Sequence, residues 1–259
     1  KVPLIITHPQ NNPTPRYTDI SCIIHGSRIK TDLEANTHKE IIHNLKPDFI
    51  FVAGWSGILS EELISIPRFG TIGFHPSKLP RDRGRSVLAW QIEEGYTETA
   101  LTMFFYNKIP DCGDIIAQEN IKIERNDYIN DVLNKIDNAT YNLMRAYFPM
   151  LRKRIAPRKE QYITEGNFRR LRNERDSTIY WDANAEVIFN KIRAISKPYS
   201  GAIGKIGNEN FRIWEAVTCD NNPELLGKNP GMHIYLEKSV SPIVQCRDKC
   251  LRVTNFEKI

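Results

Sequence analysis

Gly70-Thr-Ile-Gly-Phe-His75-Pro-Ser-Lys-Leu-Pro-Arg-Asp-Arg-Gly-Arg85 is the stretch on which the chain's organisation turns. It opens as a strand at Thr71-Ile72 and then breaks into a loop holding one histidine, two prolines and three arginines. Proline fixes φ and removes a donor, while glycine admits backbone shapes that other residues avoid. Such a segment reads as a structured loop, and loops carried on a rigid scaffold are where chemistry is often placed. A plain connection with solvated arginines would have the same composition, so the neighbouring elements must decide.

Working outward on the N-terminal side, Phe49-Ile-Phe-Val-Ala53 is a continuous apolar run ending at Gly54-Trp-Ser-Gly57, and Val2-Pro-Leu-Ile-Ile-Thr7 is another. A polar, Pro-rich loop follows the first run through Pro15. Thr37 to Leu45 has helical character, stopped by Lys46-Pro47, and Ser60 caps a helix with acidic residues in its first turn. Apolar strands alternating with helices predict an α/β domain with a mostly parallel sheet.

Beyond the loop, Ser86 to Glu94 reads as a helix closed by Gly95. Ala100 to Tyr106 reads as a strand, and Asn107-Lys-Ile-Pro-Asp-Cys-Gly113 as a turn into a strand reaching about Ile123. Asp127 heads a long amphipathic helix to about Ile155, which Pro149 should kink or break. Residues 156–176 are strongly polar and are expected to be a linker with solvated basic pairs. One helix follows at Trp181–Ile195. Short alternating runs at Phe211–Trp214, His233–Leu236, Pro242–Gln245 and Leu251–Thr254 then predict a small β-rich domain.

The 259 residues allow one large domain or two smaller ones. The formal charge of +5 suits an anionic partner without requiring one. The five cysteines, Cys22, Cys112, Cys219, Cys246 and Cys250, are scattered and show no zinc-ligand spacing, so free thiols in a reducing cytoplasm and no metal are expected. No apolar run approaches the roughly 18 residues of a membrane span. G-x-G-x-x-G, a P-loop, H-E-x-x-H and G-x-S-x-G are all absent, which argues against dinucleotide, P-loop nucleotide, zincin and serine-hydrolase chemistry. The turns holding His75 and Asp111 both follow strands of one sheet, where α/β sites form. A carboxylate beside a histidine favours imidazolium and raises its pKa.

His75-Pro-Ser-Lys-Leu-Pro-Arg-Asp-Arg-Gly-Arg, then Glu98-Thr-Ala-Leu-Thr-Met, then Asp111-Cys-Gly-Asp-Ile-Ile-Ala-Gln resemble the 10-formyltetrahydrofolate-dependent formyltransferases. Ile192-Arg-Ala-Ile-Ser-Lys-Pro-Tyr-Ser-Gly-Ala202 resembles the two-domain members. The resemblance implies a Rossmann-like formyltransferase domain over residues 1–155, the linker over 156–176, and an OB-like β-rich domain over 177–259. It also implies that a first strand and helix precede Lys1 in a longer chain.

By the same resemblance, His75 is the general acid/base and Asp111 tunes it. Gly57, Ile58 and Leu59, with Asn107, Lys108, Ile109, Pro110 and Asp111, hold N10-formyltetrahydrofolate, largely through backbone groups. Arg85, with Lys78 and Ser77, faces the amine substrate; Lys78, Arg81 and Arg83 could meet a pyrophosphate or be surface charges, and Trp55 could line the pterin pocket or be a core aromatic. One departure stands out: the family has Asn-x-His, and this chain has Gly73-Phe74-His75. Losing an oxyanion donor costs on the order of 10²–10³ in rate, so a backbone N–H or Ser77 has to substitute, or the enzyme is slow or inactive. Arg83-Gly-Arg85 followed by Ser-Val-Leu-Ala-Trp90 resembles the sugar-modifying branch, with a dTDP- or UDP-linked amino-deoxy sugar, a 4-amino-4,6-dideoxy sugar first, as acceptor. Nucleic acid is the less favoured partner, and a homodimer stays open. The alternatives are a methionyl-tRNA formyltransferase and a non-catalytic folate-binding module.

Overall fold

Apolar, β-branched runs become strands where Pro, Gly and Asp bound them. In the computed structural model, which describes residues 2–9, 20, 28–235 and 241–259, β1 (Leu4–Thr7) pairs in parallel with β2 (Arg28–Thr31). The loop expected to run through Pro15, Cys22 and Leu236 lie outside the described residues. A 3₁₀ turn at Ala35–His38 leads into α1 (Lys39–Leu45), which ends at Lys46 with φ 47° ahead of Pro47. Strand β3 (Ile50–Val52) precedes α2 (Glu61–Ile64), whose cap is the expected one: Ser60 Oγ accepts from Leu63 N at 3.2 Å.

Strand β4 (Thr71–His75) is followed by the short β5 (Arg83–Gly84), α3 (Val87–Glu93), β6 (Glu98–Phe105) and β7 (Ile115–Lys122). The sheet order is β3-β4-β6-β7, parallel between β3 and β4 and antiparallel between β4 and β6. In that second ladder Gly73 lies opposite Phe104 and His75 opposite Thr102. Side chains alternate across a strand, so residues 73 and 75 share a face. Helix α4 (Ile129–Arg152) runs three residues past Pro149 without a break.

After β8 (Phe168–Arg169), which pairs with β5, come α5 (Ala185–Ile195) and five strands: β9 (Ala202–Ile206), β10 (Glu209–Cys219), β11 (His233–Tyr235), β12 (Pro242–Gln245) and β13 (Cys250–Lys258). They form one antiparallel sheet in the order β11-β12-β13-β10-β9. Strand β9 was not expected from the sequence. The fold is thus mixed α/β, with a four-stranded sheet that contains a parallel pair, followed by a β-rich C-terminal part. Among the described residues no helix is long and apolar enough to cross a membrane.

Two compact units form, each from separated segments. One comprises Lys1–Arg83, Ala100–Glu119 and Ala139–Asn167; the other comprises Gly84–Thr99, Asn120–Asn138 and Phe168–Ile259. In the first, Ile72, Leu101, Met103 and Phe104 are fully buried in the sheet. In the second, Ile192, Ile213, Leu251 and Val253 anchor a core that includes Trp181.

Candidate active site

His75 is the last residue of β4 and only 5% exposed. Its Nε2 lies 2.7 Å from the carbonyl oxygen of Asp82. A carbonyl can only accept, so Nε2 carries the hydrogen and the tautomer is set. Nδ1 then faces Asp111, with Oδ1 at 3.5 Å. That separation is long for a hydrogen bond but short for a charge pair. Asp111 adopts φ 59°, a left-handed conformation that Asp tolerates better than most residues.

What fixes this geometry comes from remote parts of the first unit. Asp82 is 2% exposed with φ 54°, and Asn167 clamps it from both sides. Asp82 N donates to Asn167 Oδ1 at 2.9 Å, and Asn167 Nδ2 donates to Asp82 Oδ1 at 3.0 Å. Gln161 Nε2 donates to the carbonyls of Asp111 (3.1 Å) and Gly113 (2.6 Å), pinning the turn that presents Asp111. Gly113 needs its lack of a side chain, since a Cβ there would lie 1.7 Å from the Phe105 carbonyl oxygen. Gln161 Oε1 also accepts from Arg83 Nη2 (3.2 Å). Arg83 is fully buried and donates further to the carbonyls of Tyr162, Ile163 and Glu165.

Thr102, opposite His75, supports the loop from below. Its Oγ1 donates to Ser77 O (2.6 Å) and accepts from Leu79 N and Gln118 Nε2. Tyr106, just past β6, covers Gly73: a Cβ built on Gly73 would lie 2.1 Å from Tyr106 Cε2. Burial first, then the charge of Asp111, pushes the Tyr106 phenol up to about 12. Burial likewise raises the Cys112 thiol, with the Arg83 cation opposing it.

The other sequence-derived candidates are distributed unevenly. Gly57, Ile58 and Leu59 lie in the β3–α2 loop, which Asn36 holds by donating to Ile58 O (2.9 Å) and accepting from Ser60 N (2.8 Å). Ile58 is 77% exposed, while Trp55 stacks on His8 with ring centroids 4.4 Å apart. Asn107 Oδ1 accepts from Ile109 N (2.9 Å); Lys108 and Pro110 are exposed. Ser77 is fully buried and its hydroxyl donates to Arg81 O (2.7 Å). Lys78 and Arg81 are exposed. Arg85 is exposed too and belongs to the other unit, where its N–H donates to Arg169 O. Among the described residues no His/Cys/Asp/Glu cluster could hold a metal ion.

Asp82, Tyr106, Gln161 and Asn167 were not singled out from sequence. Tyr106 had a readable signal. A glycine on one strand often faces an aromatic ring on the next, and the parity of β6 continues through Tyr106. Gln161 and Asn167 had none, because they sit in a polar run without periodicity.

Residues 19–147 match the formyl transferase family, and residues 172–258 match the formyl transferase C-terminal domain. HypX from Aquifex aeolicus, solved in complex with tetrahydrofolic acid, superposes with a TM-score of 0.75 at 16% identity, over 99% of this chain and 44% of that one. The present chain thus spans less than half of HypX. An N-formyltransferase from Helicobacter canadensis, in complex with folinic acid and dTDP-3-aminofucose, gives 0.68 at 18% identity over the full length of both chains. Methionyl-tRNA formyltransferase from Clostridium thermocellum gives 0.65 at 20%, over 100% of this chain and 99% of that one.

Proposed function

The chain belongs to the formyl transferase family, and on that premise we propose that it transfers the formyl group of N10-formyltetrahydrofolate to the amine of a dTDP- or UDP-linked amino-deoxy sugar. The observation that carries the reading is the buried His75 between Asp82 O and Asp111 Oδ1. The neutral sugar amine attacks the formyl carbon, and the carbonyl becomes a tetrahedral oxyanion. With Nε2–H committed to Asp82, the Nδ1 lone pair of His75 accepts the proton that the attacking nitrogen sheds. Asp111, 3.5 Å away, stabilises the resulting imidazolium. The carbon–N10 bond then breaks, and His75 returns the proton to N10 of the departing tetrahydrofolate.

The co-substrate is supported by family membership and by the complexes of two structural neighbours, one with tetrahydrofolic acid and one with folinic acid. The exposed Gly57–Leu59 loop and the turn Asn107–Asp111 offer backbone groups suited to a pterin edge. Lys78, exposed on the loop that follows His75, is assigned to the substrate's anionic side. The nucleotide-sugar acceptor is supported by the Helicobacter canadensis complex.

Thermal shift with folate and a panel of dTDP- and UDP-linked amino sugars identifies the acceptor, since a ligand binding only the native state raises stability by RT ln(1 + [L]/Kd). Turnover by His75→Ala should then fall by about 10²–10⁴; undiminished turnover would sink the mechanism. The likeness to methionyl-tRNA formyltransferase supports a second acceptor. Formylation of charged initiator tRNA, steeply suppressed by salt, would decide for it.

A further inference from the structure

Amine addition to a formyl carbon places negative charge on its oxygen, and a fixed hydrogen-bond donor must meet that charge. On β4, the side-chain position two residues before His75 and on the same face is Gly73, which has no donor to offer. Its space is filled. A Cβ on Gly73 would lie 2.1 Å from Tyr106 Cε2 and 3.0 Å from both Cδ2 and Cζ. The ring is held by stacking on Phe104, with centroids 5.2 Å apart and planes 14° from parallel, and by Tyr106 N donating to Thr71 O at 2.8 Å.

We propose that the Tyr106 hydroxyl is the donor to the oxyanion, occupying the place that a side chain at position 73 would otherwise fill. The inference rests on the formyl-transfer reading above and adds a residue to it. Among the described residues no group hydrogen-bonds this hydroxyl, although the ring packs against Leu79, Phe104 and Ile115. The ring fills the Gly73 side-chain space, on the face of β4 that also carries His75, and the phenol feels the charge of Asp111. Burial and that charge keep its proton on well above neutral pH, as a donor requires. Gly73 is then the room the ring needs, and the ring and the glycine form one device.

The test uses the full chain with 10-formyltetrahydrofolate, once with the nucleotide amino sugar and once without any amine. Water attacks the same carbon through the same oxyanion, so hydrolysis reads the donor independently of the acceptor. Tyr106→Phe keeps the ring and removes only the hydroxyl. Its kcat should fall by about 10²–10³ in both reactions, with the folate KM and the melting temperature little changed. Tyr106→Ala should be as slow, and adding Gly73→Asn to it should recover about tenfold or more, because an amide now fits the vacated space. Turnover by Tyr106→Phe within about threefold of the parent in both assays would overturn the proposal. Hydrolysis without transfer to any amino sugar would overturn the acceptor assignment alone, with Tyr106 still judged on hydrolysis. A parent protein releasing no tetrahydrofolate in either assay would sink both.

Discussion

Replacing Asn167 by Ala tests whether a residue far along the chain holds the histidine in place. The substitution deletes two hydrogen bonds to a 2%-exposed residue: the one Asp82 N donates to Oδ1 at 2.9 Å, and the one Nδ2 donates to the Asp82 carboxylate at 3.0 Å. A neutral bond contributes about 0.5–1.5 kcal/mol and one to a charged group about 1.5–3, so the pair amounts to about 2–4.5 kcal/mol. At 1.4 kcal/mol per tenfold, local opening at Asp82 becomes about 30- to 1600-fold more frequent. Amide hydrogen exchange reads this directly. The Asp82 amide should lose protection by that factor. The Arg83 amide, which donates to the backbone carbonyl of Asn167 at 3.0 Å, keeps its partner and should lose less. Because the Asp82 carbonyl fixes His75 Nε2, kcat should fall by up to about 10² while the folate KM stays close to the parent's. Unchanged protection of the Asp82 amide would refute the clamp.

Three further outcomes follow from other groups. Arg83→Met removes a buried cation that donates to three carbonyls and Gln161, and should destabilise by about 3–5 kcal/mol in urea unfolding; a loss near zero would show that the network is dispensable. Gly73→Ala places a methyl 2.1 Å from the Tyr106 ring and should cost about 1–3 kcal/mol with reduced turnover, visible as a lower melting temperature. Burial, then the charge of Asp248, pushes the Cys246 thiol up to about 12 from an ordinary 9.0, so the folded state holds a proton that the unfolded chain releases. Its contribution is therefore complete below the ordinary value and is lost as pH rises from about 9 to 12, by at most about 1.4 kcal/mol per unit. Cys246→Ala should flatten that alkaline decline; an identical slope in both proteins would count against it.

The elements with strong local signals were legible: apolar runs gave β1, β3, β4 and β6, Ser60 gave the start of α2, and Gly95 the end of α3. His75 and Asp111 were legible because Pro and Gly turns follow their strands. Strand β9 was hidden by Gly204, which packs a missing side chain's space against Trp181 and Ile213 and breaks the alternation. The supports of the site were hidden for a different reason. Gln161 and Asn167 lie in a charged stretch that reads as solvated, yet they reach Asp111 and Asp82 by long-range hydrogen bonds that no local pattern encodes. The basic residues there are also engaged: Arg158 pairs with Asp114 and lies over Phe105, Arg169 takes both carboxylate oxygens of Glu94, and Arg170 does the same with Asp176. Tyr106 looked like the end of a strand, and only the packing over Gly73 gives it a chemical place.

The most direct measurement supplies 10-formyltetrahydrofolate labelled with ¹³C at the formyl carbon, together with the nucleotide amino sugar selected by thermal shift, and follows the label by NMR. The account predicts that the label appears as a formamide on the sugar amine, and that His75→Ala lowers this transfer to about 1% or less of the parent rate. Label found only in formate, or carried to the sugar as fast by His75→Ala as by the parent, would contradict it.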